Sequence, residues 1–572
     1  MNCTPPARRA RRAARTLPPL VVAALIAGAL AAPGAQAQSI PNSGELLQQA
    51  PRPEAPAPSS NPGLTVESPT PIRAENSAPF FVRAITISGN TLISSAELHD
   101  LVAPSEGKTL NFSYLESLAA LITKRYQERG YLLSRAYIPA QTLSDGTVRI
   151  AVLEARYGAL TLSNTSKVSD ALLRSLFEPV KPGAPVIEQP LERSLLLAAD
   201  VPGAHVDSTL APGAQPGTSD LQITATPGAP YSGYAALDDA GNRYTGDARV
   251  SGSATLYNPL HQGDALSVLG MTAGSGLDYG RLGYQALIND GLGTSLGGAI
   301  SGLYYHLGDG ASALHAHGTA QVETLTALQP FIRSTAGNLF LQAAVDVKQL
   351  RDEIDTSDTH DNRDTTALSL ALAGDRRDAG GISNFNVGFD LGNLSFANVA
   401  AEGEDGAAAK TAGTYRKFIL SVARLQALNA ANSVYVALNG QLANKNLDSS
   451  EQYFLGGPNS VRAYDVGVIG GAQGGLASIE LRHDFAAAPG GAWQGIAFVD
   501  SGTVEVYKDP LGPAENRASL TGAGVGVNWA GRGGWTASAT LATPIGGIPA
   551  LAGDTASTRV WIEIRKAFNG RP

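Results

Sequence analysis

From Tyr231 to Phe568 the sequence alternates apolar with polar residues and shows no helical period, which leaves few folds open to it. Val434, Val436, Leu438 and Leu442 alternate with Tyr435, Ala437, Asn439 and Gln441. Ala477, Ile479, Leu481 and Phe485 alternate in the same way with Ser478, Glu480, Arg482 and Asp484. A strand turns successive side chains to opposite faces, so each segment has one oily and one wet side. A wall between lipid and water requires that. No apolar run beyond the N-terminal segment approaches the ~20 residues of a membrane helix, so a crossing by the mature chain has to be a closed barrel, with all strand hydrogen bonds made internally. The 64 glycines and 16% charged residues suit such a wall, although composition alone does not separate it from a secreted β-solenoid.

Connections alternate in length. Residues 258–263 (NPLHQG), 289–292 (NDGL), 335–337 (TAG) and 486–491 (AAAPGG) read as tight turns, whereas 351–364, 397–414 and 444–475 read as long polar loops. Turns on one side and loops on the other mark an outer-membrane barrel. The spacing predicts about 16 antiparallel strands over residues 230–568, an all-β transmembrane barrel in which each strand has the ~10 residues it needs to span. An even number returns both barrel ends to the short-turn, periplasmic side, where residues 80–229 are expected to hang. The last strand, RVWIEIRKAF, sets Val560, Ile562, Ile564 and Phe568 on the lipid face and Trp561, Glu563 and Arg565 on the other. A final aromatic there resembles the C-terminal signal of outer-membrane proteins, which implies barrel-assembly machinery and outer-membrane lipid as partners. Lys566 interrupts the apolar face, and residues 569–572 trail as a tail.

The N-terminus reads as a signal peptide, residues 1–37. Arg8, Arg9, Arg11, Arg12 and Arg15 precede an apolar run from Leu17 to Ala32, and Ala35-Gln36-Ala37 supplies a cleavage site. Cys3, the single cysteine, falls inside it, so the mature chain has neither a disulfide nor a Cys-based metal site. Residues 38–79 form a linker whose prolines favour extended structure, with a short helix expected at GELLQQ, 44–49. Residues 80–155 read as a β-α-α-β-β unit. Ile85 and Ile87 lie on its first strand, a short helix begins at Ser95, and Leu115, Leu118 and Ile122 line a longer one with a capping box at Ser113 and Glu116. Val148, Ile150 and Val152 close it. Residues 156–229 repeat the order more loosely, through Leu160 and Leu162, Leu172 to Phe177, Leu191 to Leu196, and a closing strand at Leu221 and Ile223.

Three stretches resemble the two-partner secretion transporters, the haemolysin secretion/activation (TpsB) family. RYQERGYLLSRAYIPAQ (125–141) is similar to the helix-to-strand passage of its first polypeptide-transport-associated (POTRA) domain. FLGGPNSVRAYD (454–465) resembles the tip of its long sixth extracellular loop, with the tetrad Val461, Arg462, Ala463 and Tyr464; Ala463 stands where many relatives carry glycine. FVDSG (498–502) matches its strand motif through Phe498, Asp500 and Gly502. The resemblance implies that the loop folds into the lumen and that Arg462 pairs with Asp500. It further implies that the units at 80–155 and 156–229 are POTRA domains, that 44–49 is a plug helix, and that the partner is a large unfolded exoprotein of adhesin or haemolysin type. No enzymatic activity, catalytic residue, cofactor or metal is expected.

Other motifs point elsewhere only in isolation. Gly293-Thr294-Ser295-Leu296-Gly297 spells a nucleophile elbow, but that chemistry needs a strand-turn-helix corner and the segment leads into another strand. His315 and His317 would share a strand face without a third ligand in reach by sequence, so they read as wall residues. The acidic run 352–364 lacks calcium-loop spacing and reads as a solvated loop. A net charge of −8 argues against a nucleic-acid partner. Two rivals stand beside export: a barrel-assembly or translocation-module protein, which usually carries more POTRA repeats, and a passive porin, which has no need of residues 80–229.

Overall fold

The computed structural model describes residues 40–51, 59–66, 78–142, 145–486, 490–512, 514–553 and 558–570. The expected signal peptide, most of the proline-rich linker (52–58 and 67–77), part of the turn at 486–491 and the last two residues of the tail lie outside the described residues.

Sixteen antiparallel strands, from Tyr231–Asp238 to Arg559–Asn569, close into one barrel. Closure pairs the first strand with the last, from Ser232 opposite Asn569 to Asp238 opposite Glu563. Closure therefore leaves no edge of this sheet to lipid, where an unpaired backbone group costs several kcal/mol. The alternation runs as the two-residue period demands: on strand Thr359–Asp378, Leu368, Leu370 and Leu372 are exposed outward while Arg363, Thr365 and Ala367 are buried. On the closing strand Val560, Ile562, Ile564 and Phe568 face out and Trp561 is buried. Lys566 stays on the outer face by bending its amine to the Gly533 carbonyl over the Trp535 ring, so its charge escapes the apolar band at the turn 532–534.

Two polar segments differ from their expected form. Residues 351–364 are mostly strand: Gly337–Ile354 and Thr359–Asp378 run past the apolar band and join through residues 355–358. Charge hides the alternation there, because the inward pair Asp352 and Arg363 and the outward pair Arg351 and Asp364 each form an ion pair across the two strands. Residues 397–414 contain a helix, Val399–Ala407, capped by Asn398.

In the first small unit, strand Thr147–Leu153 lies between Ala84–Ser88, parallel to it, and Arg135–Tyr137, antiparallel. Helices Ser95–Val102 and Phe112–Glu128 cover one face, with Leu115, Leu118, Ile122 and Tyr126 buried. The longer helix starts at Asn111, whose carboxamide accepts from the Tyr114 N–H at 2.9 Å, so Ser113 lies inside the helix rather than capping it. The second unit holds strands Arg156–Asn164, Ala204–Pro212 and Thr218–Pro227 with helices Asp170–Ser175 and Glu188–Ala199. Strand 204–212 is obscure in sequence because Ser208 interrupts its buried apolar pair, Val206 and Leu210. A linker strand, Leu64–Val66, adds itself in parallel to the free edge of 204–212.

The second unit sits on the short turns. The Ser169 N–H donates to the His261 carbonyl at 3.0 Å, and Arg193 donates to the carbonyls of Leu292 and Pro330 at 3.0 and 2.9 Å. Arg333, its side chain 1% exposed, grips both carboxylate oxygens of Asp200 at 2.7 and 2.9 Å.

Candidate functional site: a loop pinned inside the barrel

Residues 444–472, between strands Asn432–Ala443 and Gln473–Asp484, turn inward as a hairpin of Tyr453–Leu455 with Ile469–Gly471. Its tip is tight: Gly456 and Gly457 adopt φ of 99° and 100°, and the Gly457 N–H donates to the Tyr464 carbonyl at 3.0 Å. Val461, Ala463 and Tyr464 have no exposed surface at all. An extracellular loop of this polarity is buried only if its charges find partners.

Arg462 finds them on two adjacent strands. Its Nε and Nη2 donate to the two oxygens of Asp500 at 2.8 and 2.7 Å, a bidentate fork on a carboxylate with 0% exposure. Nη1 donates to Glu480 at 2.6 Å, Nη2 reaches the Ser478 hydroxyl at 3.2 Å, and the guanidinium lies 3.4 Å from the centre of the Phe498 ring. Strand register explains the cluster, since Ser478 is opposite Asp500 and Glu480 is opposite Phe498, all on inward positions. The Trp561 indole then donates to the Arg462 carbonyl at 2.7 Å, and Asp465 forms an ion pair with Arg559.

Gly502 and Gly522 supply room. A Cβ on Gly502 would stand 2.7 Å from Leu455, and one on Gly522 would stand 2.4 Å from the Ala463 methyl. Ala463 has no positive φ, so its methyl costs no backbone strain and occupies the space Gly522 leaves. The structure thus brings Val461, Arg462, Ala463 and Tyr464 together with Phe498, Asp500 and Gly502; Phe568 lies apart, on the outer wall.

Partners of the loop stem were missed in the sequence. Glu451, 4% exposed, takes Lys348 at 2.6 Å and Lys417 at 2.7 Å, and Asp448 takes Arg363 at 2.5 Å. Stem and tip are therefore tied to different sides of the barrel. The available signal was parity: Lys348, Arg363 and Lys417 all fall on inward positions of their strands.

Helix Ser43–Gln49 lies within the barrel between wall and loop. The Ser43 N–H and hydroxyl donate to Asp352 at 2.7 and 2.8 Å, and buried Leu46 packs with Met271, Leu303, Tyr305 and Leu350. Gln48 donates to the Ser449 and Gln452 carbonyls at 2.8 and 3.1 Å, so the helix rests on the loop as well.

The elbow-like segment does not make an elbow, for Ser295 starts strand Ser295–His306 and accepts from Gln285 at 2.9 Å. His315 lies outside the strand, in a left-handed conformation at φ 49°, and does not share a face with His317.

Residues 217–529 match the family model described as haemolysin secretion/activation protein ShlB/FhaC/HecB, and residues 80–155 match the ShlB-type POTRA domain. The heme/hemopexin transporter protein HuxB of Haemophilus influenzae is 26% identical over 511 residues, 88% of this chain and 90% of its own length. The outer membrane transporter CdiB of Dickeya dadantii is 24% identical over 496 residues, 81% and 83% of the two chains. Among solved structures, CdiB from Escherichia coli superposes with a TM-score of 0.68 at 23% identity, covering 88% of this chain and 93% of its own, and CdiB from Acinetobacter baumannii with 0.59 at 17%, covering 96% and 97%. At those identities the structures speak for the fold.

Proposed function

The chain belongs to the haemolysin secretion/activation protein family, outer-membrane transporters of two-partner secretion, and we propose that its two periplasmic units deliver an unfolded exoprotein to a barrel whose lumen is organised by Arg462. The observation that carries this reading is a polar loop pinned across the lumen by buried ion pairs at stem and tip. A passive pore has no use for such an expense of buried charge. A conduit that must hold its lumen shut to small solutes and still admit a polypeptide does.

Capture needs no dedicated side chain. Strand Arg135–Tyr137 is the edge of its sheet, and an extended client added there is held by its backbone, tolerating many sequences. The linker strand Leu64–Val66 on the second unit illustrates this mode of pairing within the chain itself. Phe568 on the outer wall then serves insertion by the barrel-assembly machinery, and the apolar band receives lipid. The named relatives carry heme/hemopexin and CdiB descriptions; for this chain the client is of the same class, a secreted exoprotein.

The test is co-expression with a large, signal-bearing exoprotein from a neighbouring reading frame. Wild type releases it to the medium. Arg462→Ala, inserted in the outer membrane at normal level, releases less than about a tenth as much; undiminished release by that variant removes the role given to Arg462.

A further inference from the structure

Register sets four chemically related residues in one row on the outside of the barrel. His306 is opposite His317, His317 is opposite Glu353, and Glu353 is opposite His360, across four consecutive strands. These positions alternate with buried Tyr305, Ala316 and Asp352, so their side chains point outward. They also stand clear of lipid, because Glu353 is three outward positions beyond Val347, about 20 Å further along its strand.

We infer that this rim holds a divalent transition-metal ion of the zinc type, ligated by His317, Glu353 and Asp355, with His360 beside the second oxygen of Glu353. One ligand atom from each of the three lies within 4.8 Å of the other two. The His317 ring lies between the two carboxylates, its Nε2 3.7 Å from Glu353 and its Nδ1 4.0 Å from Asp355, and one of these nitrogens serves as the ligand; His360 Nδ1 is 3.9 Å from the other Glu353 oxygen. Ligands at about 2.0–2.1 Å from a tetrahedral ion stand about 3.4 Å apart, so side-chain shifts of up to about 1.4 Å bring one atom of each residue from within 4.8 Å to ligand spacing.

A second observation is independent of these separations. Although the His317 side chain is 34% exposed, its Nδ1 is shut off from solvent and has no hydrogen-bond partner among the described residues, while Asp355 lies 4.0 Å from it. Two carboxylates and one neutral imidazole make a donor set of charge −2, which a divalent cation neutralises, and imidazole with carboxylate suits zinc over calcium or magnesium. The sequence offered no third ligand because Glu353 and Asp355 are supplied by strand pairing. Binding ties Ala316–Arg333 to Gly337–Ile354 and its turn, with Thr359–Asp378 alongside, at the extracellular rim.

The test uses full-length mature protein without a histidine tag, in detergent, stripped with chelator and titrated with zinc chloride by calorimetry. The expected result is saturable binding of one ion per chain, weakened tenfold or more in His317→Ala and in Asp355→Asn, both retaining heat-modifiable mobility. Asp355 lies beyond the strand's last residue, so that variant leaves the ladder untouched. His205→Ala, which removes an exposed histidine beside Asp207 on the second periplasmic unit, leaves the affinity unchanged. No saturable binding by wild type, or equal affinity in His317→Ala, overturns the assignment.

Discussion

The Trp561 indole donates to the Arg462 carbonyl at 2.7 Å, so the strand that closes the barrel is bonded to the same residue whose guanidinium grips Asp500. Loop placement and barrel closure are thereby coupled. Trp561→Phe keeps an aromatic ring, though a smaller one, and leaves a buried carbonyl unpaired, at about 1–3 kcal/mol. The expected outcome is an intact, heat-modifiable barrel whose residues 456–468 exchange amide hydrogens faster than in wild type, read by mass spectrometry.

Breaking the Arg462 cluster costs more than that. Asp500→Asn leaves the guanidinium with Glu480 as its one carboxylate, and Arg462→Lys keeps the charge but loses the fork. A buried pair missing one partner loses about 3–5 kcal/mol. Export is expected to fall least in Arg462→Lys, further in Asp500→Asn and furthest in Arg462→Ala, measured as exoprotein in the medium at equal barrel level.

Gly522 and Ala463 make a complementary pair. Gly522→Ala sets two methyl carbons 2.4 Å apart, which rigid strand and loop backbones cannot absorb without displacing the tip. Export is expected to drop several-fold in Gly522→Ala and to recover when Ala463→Gly is added. A double variant no better than the single one contradicts this packing.

Acid sensitivity is expected in the first periplasmic unit. The Ile85 N–H, donating at 2.6 Å, and His99 hold the Glu106 carboxyl below its usual range. Burial pushes Glu154 upward, but donors from Thr91, Leu92 and Tyr126 outweigh it and leave it low as well. A lowered folded pKa gives stability that is complete above the unfolded value of about 4.3 and is lost as pH falls through the folded value. Amide exchange over 80–155 in the full chain should therefore be steady from pH 8 to 5 once corrected for intrinsic rates, and protection should fall below about pH 4; Glu154→Gln flattens that fall.

The barrel was legible because its wall obeys one rule, two-residue alternation, over strand after strand. Where charge replaces oil on both faces, at 351–364, the same rule holds but hydropathy does not report it, so the pattern there resembles a polar loop. Arg462 and Asp500 were legible through two motifs, one at the tip of the inward loop and one on strand Gly491–Glu505. Glu480 was not, although it lies on the polar face of a strand already traced, because its proximity depends on register between strands and not on spacing within one. The stem anchors Lys348, Lys417 and Glu451 are of the same kind, as is the His317 cluster, whose ligands meet only across paired strands.

The central claim is that a polypeptide passes through this barrel. A photo-crosslinking amino acid at Asn386, on the inner face of strand Gly381–Phe396, is compared with one at Phe389, exposed on its outer face, in cells secreting the partner exoprotein. Crosslinks to the exoprotein in transit from position 386 and none from 389 are the result expected. Equal crosslinking from both, or none from 386 while secretion proceeds, contradicts the account.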